Sequence, residues 1–317
     1  MSTSSPVTIQ PFADLLSLID QLPLADGCAV KAAHQAVDIR TEGLGDSGRL
    51  GELYEWLAGW QAEKAPKSAE AHICLFAASH ERGTRSADIQ AMLEQASQGR
   101  AAINALCKSQ GIGLRVLEMA LEMPVCSPVN GAISAERDAM AAIAFGMEST
   151  ASGGHILALG DMAYGNEANS LAILSSLLGE SPLQWAGGEM SPDIIQYAQA
   201  CLDAHPDVAN DGLKALCAFG GREVAAMIGG IIAARSQRIP VVLDGWAALA
   251  AATILKSLKA DSIDHCLAAS AASPSQKKAW DTIGLPPVLQ LNVDLGQGCG
   301  AALAVGILKS SVDLFSA

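Results

Sequence analysis

The chain has 317 residues, half of them hydrophobic but only 4% aromatic, and carries a formal net charge of −13. That charge, with no Lys/Arg cluster to offset it, excludes a nucleic-acid partner, and the length allows a full core built mainly from Ala, Leu, Ile and Val. Mean hydropathy is positive, yet polar residues interrupt every long apolar segment before it reaches bilayer length.

The eight cysteines are scattered, with no C-x-x-C pair and no dense His/Cys cluster, so reduced thiols are expected and a metal site is not. The opening MSTSSPVTIQPF lacks the basic residues and long apolar run of a secretory signal. The expectation is a soluble, cytoplasmic protein without a membrane partner, a metal or a cofactor.

In chain order, residues 12–22 read as a short amphipathic helix closed by Pro23, and 28–38 as a second helix. After a Gly-containing acidic loop at 42–47, residues 49–61 place Leu50, Leu53, Leu57 and Trp60 on one helical face. Residues 72–78 (HICLFAA) have the length and composition of a buried strand. The polar loop SHERGTRSADIQ follows, carrying His80, Glu81, Arg82 and Arg85. Loops after the C-terminal ends of parallel strands gather ligand sites, so these four are candidates; a solvated surface turn is the alternative. Residues 89–110 read as one helix, 114–118 as a strand, and 134–148 as a helix with Ser134 as its N-cap.

The stretch 156–180 organises the rest. An apolar run at 156–159 turns through Gly160-Asp161-Met162-Ala163-Tyr164-Gly165 into a segment with helical spacing. In a strand, glycine turn and helix arrangement, backbone N–H groups at the helix start can face an anion; an ordinary strand-to-helix turn is the plain alternative. Residues 224–234 form a small-residue helix whose Gly229-Gly230 pair permits close helix packing. Residues 239–243 form another parallel-type strand, ending in Asp244-Gly245-Trp246, where the carboxylate is a candidate ligand or a helix cap. A helix at 247–258, a strand at 262–269, a polar loop at 272–276 and a short helix at 277–283 follow. Gly296, Gly298 and Gly300 then precede an alanine-rich helix and make a second backbone-lined turn. The pattern predicts an α/β fold: a Rossmann-like parallel-sheet core with flanking helices at 71–317, and a mostly helical N-terminal part at 1–70.

The motifs SGRLGELYEWLAGWQ, GRAAINALCKSQGIGLRVLEM, LALGDMAYGNEA, RIPVVLDGW and LGQGCGAALAV span nearly the whole chain. In this order they resemble the nicotinate-nucleotide:dimethylbenzimidazole phosphoribosyltransferase family. The resemblance implies an enzyme of cobamide nucleotide-loop assembly, in which a base nitrogen attacks C1′ of nicotinate mononucleotide, nicotinate leaves and α-ribazole 5′-phosphate forms. It also implies small-molecule substrates, namely that nucleotide and an aromatic base, and a homodimer, or a heterodimer with a full-motif homologue. Family members carry a G-E-M-G-I-G-N-T-T turn for phosphate and ribosyl, and a glutamate in L-G-E-G-T-G-A as proposed general base.

Here Asp161 stands at the first glutamate, Glu167 and Ala168 at the two threonines, and Gln297 at the second glutamate. By the resemblance Asp161 and Gln297 are the catalytic candidates. Gly160, Gly165, Asn166 and Glu167 shape the phosphate turn, with Gly187 and Gly188 as a second anion-contacting loop. His80, Arg85, Asp244, Gly296 and Gly298 complete the substrate-binding candidates. Two readings follow: a phosphoribosyltransferase with an altered active site, or a catalytically inactive paralogue serving as a binding or regulatory subunit.

Overall fold

Five apolar runs pair side by side into one parallel sheet in the computed structural model, which describes residues 11–83 and 86–316. The strands are β1 (Ala71–Ala77), β2 (Gly113–Glu118), β3 (Ile156–Met162), β4 (Val241–Leu243) and β5 (Cys266–Ala268), ordered β2-β1-β3-β4-β5. β1 and β4 are almost wholly buried because helices cover both faces, whereas the edge strand β2 alternates between exposed and half-buried residues. Pleating sends successive side chains to opposite cores. Leu157 and Leu159 join the core that contains the helices Arg222–Ser236 and Trp246–Leu258, while Ile156 and Ala158 join the one that contains Cys299–Phe315. The predicted α/β class is the observed one.

The N-terminal helices are divided between the two faces. Leu15 and Ile19 of Ala13–Asp20 pack with the first core, and Ala29, Ala33, Leu53 and Leu57 of Gly27–Thr41 and Gly48–Gln61 with the second. Strand order reverses between β1 and β3, the position at which the C-terminal ends of a doubly wound sheet open a crevice.

Glycines allow one particularly close helix contact. A Cβ on Gly229 would lie 1.9 Å from the Ile143 carbonyl oxygen, and one on Gly146 1.9 Å from that of Ala226. The helices Glu136–Gly146 and Arg222–Ser236 therefore touch backbone to backbone, the close packing expected of the Gly229-Gly230 pair.

Four local expectations are corrected. Helix 89–110 is two helices, Ser86–Ser97 and Ala102–Gln110, because Gly99 turns left-handed at φ +71° and the Asn104 side chain caps the second start at Ala101 N–H. Ser134 is no N-cap. The helix begins at Glu136 behind Ala135, while Ser134 N–H is held by the Cys217 carbonyl. β3 runs on through Met162 because Gly160 and Asp161 pair with β1 opposite Leu75 and Phe76. Of 262–269 only Cys266–Ala268 is strand. Arg85, like the leader-peptide reading of residues 1–10, lies outside the described residues. Among the described residues no helix is long and apolar enough to cross a membrane, and no cluster of three His, Cys, Asp or Glu is placed to hold a metal ion.

Candidate active site

The two glycine corners meet at the C-terminal ends of β3 and β4. A Cβ on Gly160 would lie 3.3 Å from Gly298 Cα, so strand β3 and the turn before the last helix touch through glycine alone. That turn is wound left-handed at three successive residues, Gly296, Gln297 and Gly298, with φ of +61°, +54° and +73°. Gln297 accepts a conformation that costs a side-chain-bearing residue about 1 kcal/mol, held by the bond from Cys299 N–H to the Gly296 carbonyl.

Above the junction lies a cleft of about 260 Å³. Asp161, Asn166, Glu167, Asp244, Gly296, Gln297 and Gly298, all candidates from the sequence, line it together. Trp246 also lines it, as do Tyr164 and Leu295, which are 50% and 60% exposed at the rim. Gly160 and Gly165 support this wall from behind without lining it. A Cβ on Gly165 would lie 2.2 Å from the Arg82 carbonyl oxygen, so this turn and the loop after β1 meet backbone to backbone.

Asp161 sits half-buried on the wall. Its Oδ2 accepts a 3.1 Å hydrogen bond from Asn166 Nδ2, which also reaches Glu223 Oε1 at 3.3 Å. Glu223 Oε1 takes a 2.8 Å bond from His80 Nε2. Glu223 is fully buried and its Oε2 has no hydrogen-bond partner. Burial, then the charge of Glu223, push the Asp161 carboxyl up to about 7. Burial opposes the charged forms of both His80 and Glu223, yet their mutual attraction outweighs it: the imidazole lies above its ordinary value and the Glu223 carboxyl below.

Asp244 does not cap the helix that follows it. Its Oδ2 accepts from Ala301 N–H at 3.0 Å, holding the start of the C-terminal helix under β4, and burial pushes its carboxyl up to about 6. Glu167 turns back on its own corner, Oε2 accepting the Gly165 N–H at 3.0 Å. A donor at the head of the turn is thus already engaged by a carboxylate. Asp161, Glu167, Asp244 and Asp294 give the cleft four acidic side chains, and among the described lining residues there is no Lys, Arg or His.

Three sequence candidates stand apart. Gly187 ends the helix Pro182–Ala186 in a left-handed turn packed on Ser275, and neither it nor Gly188 lines the cleft. His80 is buried behind the wall rather than facing a ligand. Its neighbours in the loop are committed elsewhere: Arg82 lies over the Tyr197 ring and bonds the Asp193 carbonyl, and Glu81 accepts from Ser127 N–H.

Glu223 is the residue that sequence reasoning missed. The signal was an acidic residue at the head of a helix apolar on every side, so that helix and carboxylate are buried together.

A family model described as "Phosphoribosyltransferase" matches residues 22–317 of the chain. Curated relatives sharpen the class. Nicotinate-nucleotide–dimethylbenzimidazole phosphoribosyltransferases from Allorhizobium ampelinum and Rhizobium rhizogenes are each 38% identical to this chain. Each match covers 96% of this chain and, respectively, 93% and 94% of the relative. The chain belongs to the nicotinate-nucleotide–dimethylbenzimidazole phosphoribosyltransferase family. The crystal structure of the Thermus thermophilus member shares the fold at a TM-score of 0.77 and 24% identity, over 90% of this chain and 96% of that one.

Proposed function

We propose that the chain transfers a phosphoribosyl group from nicotinate mononucleotide to an azole-type base in cobamide nucleotide-loop assembly, through an altered active site. The observation that carries this reading is the meeting of Asp161 and Gln297 in one cleft over the Gly160–Gly298 contact.

In the step itself, the bond from the pyridinium nitrogen to C1′ breaks and its electron pair leaves with nicotinate. The azole nitrogen forms the new bond to C1′, and its N–H proton passes to a base. Asp161 supplies negative charge beside the developing ribosyl cation. Gln297 orients the acceptor by its amide, which cannot take a proton near neutral pH. Glycine at 296 and 298, both lining the cleft, lets backbone approach the donor closely. Incubating the protein with nicotinate mononucleotide and a panel of azoles and phenols tests the reading by nicotinate release; none at high enzyme concentration removes it.

The Glu167 carboxylate on the Gly165 N–H favours a second reading, an inactive paralogue that serves as a binding or regulatory subunit. On this reading the chain pairs with a full-motif homologue as a heterodimer, whereas the active reading takes a homodimer; the cytoplasm is the compartment proposed for both. Mixing with such a homologue restores transfer under the subunit reading only.

A further inference from the structure

Behind the Asp161 wall lies a set of buried side chains with no part in the cleft lining: Glu223 from the head of Arg222–Ser236, and His80 from the loop after β1. Asn166 joins them to the wall. Both hydrogens of its amide nitrogen are spent between carboxylates, one on Asp161 Oδ2 and the other on Glu223 Oε1, which fixes the amide with its nitrogen inward. Tying Oδ2 from behind leaves Oδ1 as the oxygen turned towards Gly245, whose Cβ, if it had one, would lie 3.3 Å away on the cleft wall. A buried glutamate with one unpartnered oxygen is costly to keep, and hydrophobic packing of the same volume would be cheaper. Its position, one amide away from the wall carboxylate, gives that cost a purpose.

We propose that Glu223, held anionic by His80 and coupled through Asn166, is a positioning residue that makes Asp161 the proton acceptor of the transfer step. The proposal rests on reading the cleft as a pentosyl-transfer site. In that step the azole N–H proton moves to Asp161 Oδ1 as the bond from azole nitrogen to C1′ forms and nicotinate departs with its electron pair. Gln297 has no such capacity, whereas Asp161, its Oδ1 turned towards Gly245 on the cleft lining and its Oδ2 tied through Asn166 to Glu223 behind, has it. An acceptor works best when it titrates near the working pH, and Asp161, pushed up to about 7, does so.

The charges around Asp161 come from every side of the wall. Glu223 and Glu167 raise its carboxyl, whereas the Asn166 hydrogen bond and the His80 cation lower it. Asp244 stands at the neighbouring strand end, and Arg222 lies behind His80 with its guanidinium on the carbonyls of Met119, Ala120 and Met123. Removing the Glu223 charge thus lowers the Asp161 midpoint, and removing the Asn166 bond raises it. A purely structural role predicts no such opposition of sign.

The test is a carbon-13 NMR titration of aspartate side-chain carboxyls, with Asp161 assigned through Asp161→Asn, in the whole protein and in Glu223→Gln and Asn166→Ala. The midpoint is expected to fall by about one pH unit in Glu223→Gln and to rise in Asn166→Ala. The acid limb of the kcat/KM profile for nicotinate release should move in parallel. An Asp161 midpoint that is the same in the parent, Glu223→Gln and Asn166→Ala overturns the proposal. If Glu223→Gln does not fold, the upward shift in Asn166→Ala decides alone. Midpoints that move as expected while no variant releases nicotinate support the coupling of these side chains and count against the transfer reading instead.

Discussion

Replacing Glu167 by threonine, the residue that the family resemblance implies at that place, should raise affinity for a 5′-phosphate. Glu167 acts twice against that group: its Oε2 occupies the Gly165 N–H, and its charge lies at the corner where the phosphate would sit. For a dianion about 6 Å from the carboxylate, at an effective dielectric constant of about 40–80 for a half-exposed site, the repulsion is about 1.4–2.8 kcal/mol. Freeing the backbone donor adds about 0.5–1.5 kcal/mol if the phosphate takes it up. Together these correspond to a gain of about 25-fold to 1,000-fold in binding. Calorimetric titration with nicotinate mononucleotide and, in parallel, with the riboside that lacks the phosphate reads it directly. The gain should be confined to the mononucleotide and should shrink as salt is added. Glu167→Gln, which removes the charge but can still cap Gly165, separates the two contributions. Equal gains for both ligands, or none for the mononucleotide, would refute the reasoning. Ala168→Thr is better made separately, because Ala168 is only 2% exposed and extra atoms in a packed site cost about 1–3 kcal/mol.

Gln297→Glu adds a second proton acceptor to the cleft and should raise kcat for transfer to an azole by about 10²-fold, within the usual range for a general base; a change confined to KM would mean that residue 297 only holds the acceptor. Asp161 binds a proton more tightly when folded, its carboxyl lying at about 7 against an ordinary 3.8. Its stabilising contribution is therefore complete below about pH 4 and lost as pH rises through 7. Asp161→Asn should flatten that fall in urea-melt stability by a few kcal/mol, and an unchanged pH dependence would count against the buried environment described for the carboxyl. Gly229→Ala drives a methyl onto the Ile143 carbonyl and should cost about 3 kcal/mol, seen as a fall in Tm of roughly 5 °C for a chain of this length.

The sheet was legible because β1 and β3 are near-continuous apolar runs bounded by polar loops, the form that a strand covered on both faces takes in sequence. The meeting of Asp161 with Gln297 was legible through the resemblance, since no local pattern joins residues so far apart. What stayed hidden was the partner of each buried polar group. Asp244 was open to two roles, ligand or cap of the next helix; it lines the cleft, and its Oδ2 holds the start of a helix 57 residues further on. His80 looked like a surface ligand because its neighbours are charged, yet β1 carries it inward onto Glu223. Gly187 and Gly188 looked like a ligand loop; Gly187 instead closes a short helix against Ser275, and neither lines the cleft. Polar residues in loops have several ways to be satisfied, and only tertiary packing selects one.

The acidic lining divides the demands of the reaction rather than simply opposing it. A ribosyl group gains positive charge as the glycosidic bond breaks, and the pyridinium of the donor is already cationic, so carboxylates near C1′ favour the transition state. The same charges resist a phosphate, and which effect wins depends on where each carboxylate lies. Asp161 belongs to β3, beside the Gly160–Gly298 junction, and is anchored from behind by Asn166. Glu167 belongs to the helix start and bonds the corner itself. On the proposed reaction, the charge that would help bond breaking is built into the sheet, and the one that would hinder phosphate sits at the first turn of a helix, where one substitution removes it without disturbing the strand. On the proposed reading Glu167 bears on the phosphate end of the donor, while the region at C1′ keeps the support of three separate elements: β3, the last glycine turn and the head of the buried helix.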